Sequence, residues 1–168
     1  MGQSRIIGEH LLSCLDAVYR VLGESAPTFE VDAYVVCTHD SSRAFGELAL
    51  ELRNYLGDSD VDPLEDVASV LRLAASERSG AMVLYAMVVV VGPRLLVSLL
   101  DARAAIEDEA LGELLGRAST VVVAQMWAAG EVAKDAGMIE DPAWQATARE
   151  LVIMAESAGN VESFGISR

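Results

Sequence analysis

Gly80 to Ile106 constrains this chain more than any other stretch. Ala81 to Val91 carries no charged or side-chain amide group, and Leu95 to Leu100 is nearly as apolar. A helix left without a polar face must be enclosed by protein or lie in lipid. Residues 81 to 100 are long enough for a bilayer, but Arg94 falls mid-segment. There insertion costs about 2.5 to 3.5 kcal/mol, offsetting leucines and valines that contribute about 0.3 to 0.6 kcal/mol each. The reading is therefore a core helix in water, sheathed by the rest of the chain, with no membrane span. Proline lacks an amide hydrogen and crowds the carbonyl four residues back, so Gly92-Pro93 predicts a kink or stop near Val91 and a restart at Pro93. The β-branched run Val88 to Val91 leaves a buried strand as the competitor at that point.

The flanking sequence supplies amphipathic helices to cover this segment. Ile7, Leu11, Cys14, Val18 and Leu22 form one apolar stripe, predicting a helix over about 4–22. Phe29 to Thr38 alternates with period two, yet an isolated strand would have no pairing partner, so helix or extended chain is expected. Asp40, Ser41 and Ser42 are cap candidates for a helix over about 42–56. Asp62-Pro63-Leu64-Glu65 has the residues of a capped helix start, with closure near Ser79-Gly80. Acidic Glu107 to Glu109 opens a helix reaching about Ala136. Along it Gly112, Gly116, Thr120, Ala124 and Ala128 recur every fourth residue, a row against which the central helix or a second subunit could pack closely. Asp141-Pro142 opens the last helix, about 142–157, with Trp144, Ala148, Leu151, Val152 and Ala155 inward. The expected fold is all-α: one domain, residues 1–159, of about six helices around a central Gly-Pro-broken apolar helix, followed by a tail over 160–168 in which Phe164 and Ile166 could dock or fray.

Charge narrows the partners. With 26 acidic against 12 basic side chains the net charge is −14, which repels phosphate backbones and argues against nucleic acid. The acidity suits solubility or a basic protein or peptide partner. Cys14 and Cys37 are the only cysteines; no secretory leader is expected at the start, and a reducing cytoplasm fits them.

Few residues suggest chemistry. His10, Cys14, Cys37 and His39 are the only His and Cys side chains, and two nitrogens with two sulfurs suit tetrahedral zinc. The bland alternative makes Cys14 a small buried hydrophobe in its stripe. Asp58-x-Asp60-x-Asp62 opens like a calcium loop but has Pro63 where glycine is required and Ser69 where the bidentate glutamate belongs, so it reads as solvated charge. Glu47 with Glu51, and Glu109 with Glu113, are one turn apart with no arginine or lysine cluster beside them, and read as solvated faces. Glycine-rich phosphate loops, nucleophile elbows and dinucleotide fingerprints are missing.

A broken apolar helix wrapped by amphipathic ones resembles the Bcl-2-like bundle, and Arg78-Ser79-Gly80 is similar to the region before that family's central helix. The chain departs from the pattern in lacking Asn-Trp before Gly80, in carrying Ala81 where arginine should follow, and in having no expected terminal anchor. The resemblance implies a Bcl-2-like regulator. From the residues themselves the expected function is non-catalytic: a homo-oligomeric interaction or adaptor protein that holds a partner in an apolar groove, without a cofactor. The alternatives are a structural zinc protein, and a bundle binding an apolar small molecule near Gly92-Pro93 against Met82, Met87 and Trp127.

Overall fold

The computed structural model describes residues 2–57, 59–78 and 80–157. Among them there is no strand, and the fold is an all-α single-domain bundle. Helix α1 (Gln3–Ser25) runs antiparallel to α2 (Asp32–Leu56), joined by a 3-10 turn at Ala26–Thr28. Helix α3 (Glu65–Arg78) leads into α4 (Gly80–Ala86), which passes through a π-helical turn, Met87–Val91, into α5 (Gly92–Ala105). Helices α6 (Glu109–Asp135) and α7 (Pro142–Ser157) complete the bundle.

The α1 stripe is buried as its spacing predicts: Ile7, Leu11, Cys14, Val18 and Leu22 are all essentially inaccessible. Residues 32–38 are helical, and α2 runs through 40–42 without a break. The polar side chains expected to cap a helix there are spent between helices instead. Ser41 donates to Gln125 of α6 at 2.9 Å and Ser42 to the Tyr19 carbonyl of α1 at 2.9 Å. Helix α3 starts at Glu65, later than Asp62-Pro63 suggested. Ser13 holds the preceding backbone, its hydroxyl donating to the Asp62 carbonyl and its own carbonyl accepting from the Leu64 amide. At α6 the helix starts within the acidic run, and Asp108 caps it, accepting from the Leu111 amide at 3.0 Å. Tyr55 of α2 donates to the same carboxylate at 2.7 Å. These two bonds hold the Asp108 carboxyl below its ordinary range, the Leu111 amide most strongly, while the bond to Asp108 raises the Tyr55 phenol.

Gly80–Ala105 is one helical rod, long and apolar enough by length and composition to cross a membrane, but 61% of its most apolar window is buried within the protein. The break expected at Gly92-Pro93 takes the form of the π turn rather than of a gap. Pro93 cannot donate to a carbonyl one turn back, and the backbone widens so that the Gly92 amide reaches the Met87 carbonyl five residues earlier. The backbone and α6 close so tightly here that a Cβ on Gly92 would strike the Met87 carbonyl oxygen and the Met126 side chain. Residues Ala81 to Met87 are all buried, against α2, α3, α6 and α7; Tyr85 meets Trp144 of α7 edge to face, with centroids 6.4 Å apart. Beyond the π turn the cover thins, because α5 packs chiefly on α6. The small-residue row of α6 meets α5 at Gly116 and not along its length. Gly116 lies under the Arg103 guanidinium, while Thr120, Ala124 and Ala128 face solvent; Leu111, Leu115, Ala118 and Val122 turn inward.

Candidate functional site: an apolar groove between α5 and α6

On the outer side of the α5–α6 pair, apolar residues that the bundle leaves uncovered form a groove of about 450 Å³. Val88 from the π turn and Leu96 from α5 make one wall, Val123, Met126 and Trp127 from α6 the other, and Ile139 closes one end. Trp127 is 70% exposed. An indole that open on a groove otherwise made of aliphatic side chains is unusual for a surface with no partner, since apolar area in contact with water is unfavourable at about 25 cal/mol per Å². The apolar surface extends past the groove along the rod, where Val89, Val97 and Leu100 are all exposed. Charge enters at one end only, with Glu131 and Lys134 lining the groove one and two turns beyond Trp127. From Val123 to Lys134 the wall runs about 16 Å along α6, roughly three helical turns.

The residues singled out for a ligand are not brought together. Met82 and Met87 are fully packed in the core, whereas Trp127 stands on the open groove. A small-molecule cavity shared by the three is therefore not formed. The zinc set is likewise split. His10 Nε2 lies 3.8 Å from Cys14 Sγ on α1, but α1 and α2 are antiparallel. Gly8 packs on Leu56, and Tyr19 on Gly46, so Cys37 and His39 sit near the other end of the pair, about 20 Å from Cys14 along the helices. Among the described residues no three His, Cys, Asp or Glu side chains are grouped to hold a metal ion. Burial pushes the Cys14 thiol up to about 12 and, together with Asp40, raises that of Cys37, so neither is a ready thiolate.

Neither family models nor curated proteins nor solved structures match this chain. The resemblance of residues 78–80 to the Bcl-2-like bundle gains no support from these comparisons; Ser79 lies outside the described residues, as do Asp58 of the acidic turn and the tail residues Phe164 and Ile166. The acid pair of α2 is exposed, as a solvated face should be, and each acid has a single arginine partner rather than a cluster. Glu47 pairs with Arg43 at 2.9 Å and Glu51 with Arg117 of α6 at 3.0 Å. Val88, Leu96, Val123, Met126 and Ile139 were not anticipated as site residues. For Val123 a signal lay in the Val121-Val122-Val123 run, where three consecutive apolar residues on one helix cannot all face the same core.

Proposed function

We propose that the protein is a non-catalytic helical interaction protein, and that the α5–α6 groove receives an amphipathic helix of a partner protein carrying basic residues along its polar edges. The reading rests on one observation, the 70% exposure of Trp127 on the wall of an otherwise aliphatic groove. Aromatic anchors of this kind dominate the energetics of protein interfaces. A groove of about three turns suits a helix presenting side chains at i, i+3, i+4 and i+7. Charge selects the partner's sign. The chain carries −14, so basic helices are drawn in and a second copy is repelled, while Glu131 and Lys134 on the groove balance each other.

The test is a titration of the whole chain with a fluorescein-labelled peptide of about four turns built from Leu and Lys in amphipathic register. The reading expects saturable binding that weakens with salt, is weakened by about thirtyfold or more in Trp127→Ala, since an anchor truncation costs about 2 kcal/mol or more, and is missing for the Leu/Glu peptide. Equal binding of the two peptides, or binding indifferent to Trp127→Ala, would refute it. Sedimentation showing a dimer that Trp127→Ala dissociates would assign the groove to a second copy, the homo-oligomer expected from the sequence.

A further inference from the structure

A second groove, of about 840 Å³, follows the seam of α1 and α2. In a chain with 26 acidic and only 12 basic side chains, three arginines line this one feature: Arg20, Arg43 and Arg53. Two of them, Arg20 and Arg53, are paired with Asp16, whose side chain is only 4% exposed. Its Oδ2 accepts from Arg53 Nη2 at 2.8 Å and lies 3.6 Å from Arg20 Nη2. One buried carboxylate oxygen thus positions two guanidiniums, a local excess of one positive charge. Each guanidinium carries five N–H donors in a planar fork, so donors remain for a second acceptor. The other acids on the groove are Glu24 and Glu47, and Glu47 is held by Arg43 at 2.9 Å.

Beside this cationic pair lies a flat aromatic surface. The Tyr19 ring rests directly on Gly46, where an added Cβ would come within 2.8 Å of ring carbon Cδ2. With 43% of the residue exposed, the ring forms part of the groove lining. Gly23 and Ala49, both small, leave the space beside it open. The volume is that of a pocket for a small organic molecule.

We propose that this groove binds a small molecule that joins an oxyanion to a flat ring, an aromatic carboxylate or an aryl phosphate monoester. The oxyanion sits between Arg20 and Arg53 and the ring lies against Tyr19. A guanidinium recognises both oxyanions by the same paired N–H geometry, and Asp16 holds the Arg53 fork before the ligand arrives, which lowers the ordering cost of binding. The proposal is independent of the α5–α6 reading.

Isothermal titration of the full chain with phenyl phosphate, benzoate, inorganic phosphate and acetate tests it. At least one ring compound should bind saturably at one site, about tenfold more tightly than its ringless counterpart, a margin that one aromatic contact can supply. Benzoate and phenyl phosphate binding alike points to either source; binding of one alone assigns the oxyanion. Arg20→Gln should weaken binding about tenfold, the worth of a charge-assisted hydrogen bond. Tyr19→Ala should erase the preference for ring compounds while leaving the weak oxyanion binding. Both changes keep the Asp16–Arg53 pair, so the fold is preserved for the comparison, and should Arg20→Gln unfold, Tyr19→Ala decides alone. No saturable binding by either ring compound, equal affinity for ringed and ringless anions, or indifference to both substitutions would overturn the proposal.

Discussion

The two halves of the central rod are both rich in apolar side chains, the second adding Arg94, Ser98, Asp101 and Arg103, and their surroundings differ. Before and into the π turn, Ala81 to Met87 is buried on every side by α2, α3, α6 and α7; after it, α5 leans mainly on α6 and leaves Val97 and Leu100 about half exposed. Apolarity alone therefore does not decide burial. The helix count around each half does, and the π turn divides them. An extra residue in a turn rotates everything beyond it by about 100° around the axis, so the apolar stripe of α5 is out of phase with that of α4 and part of it emerges toward solvent beside Trp127.

The contrast is broken most strongly by equal truncations on the two sides. Leu84→Ala, at a fully buried position, should cost about 2 to 5 kcal/mol in urea unfolding, while Leu100→Ala, at 49% exposure, should cost less than about 1 kcal/mol. Similar losses at the two positions would mean that α5 is covered as fully as α4. The boundary comes next. Gly92→Ala must push a Cβ into the Met87 carbonyl and Met126, and should destabilise by about 1 to 3 kcal/mol, as overpacking does; a neutral result would show that the rod and α6 are not in close contact at the π turn.

Legibility in the sequence follows the same division. Where a periodic stripe met one core, as in α1 with Ile7 to Leu22, the spacing alone located the helix and its buried face. Where polar side chains had two possible duties, local rules named the wrong one. Ser41 and Ser42 read as caps but tie α2 to its neighbours, and Asp62-Pro63 reads as a helix start but is tied to Ser13 ahead of the helix. Tertiary partners of this sort leave no trace in a window of a few residues. Of the candidate site only Trp127 was legible. Trp127 stood out as an aromatic, but Val88 and Leu96 are indistinguishable from core residues until the π turn sets their phase. The His/Cys set failed for a related reason, since closeness in sequence across a helical hairpin does not give closeness in space.

The smallest expected effect sharpens the contrast between the two ends of α6, one fastened by Tyr55 and Asp108, the other carrying the open groove. The Asp108 carboxyl titrates below its unfolded value of 3.8, first through the Leu111 amide and then through Tyr55. Its contribution is thus present above that value and lost as pH falls through the folded one. Asp108→Asn should speed amide exchange in the first turn of α6 at about pH 5 and make little difference well below the folded pKa, whereas Trp127→Ala should leave that turn unchanged.

Acrylamide quenching of Trp127 in a Trp144→Phe background tests most directly whether the second half of the rod is open. The account predicts an indole quenched almost as readily as free tryptophan, equally so on dilution, and shielded once the Leu/Lys helix is added. An indole shielded from the outset at every dilution would mean that the protein covers this face itself, and the α5–α6 groove would not exist as a binding site.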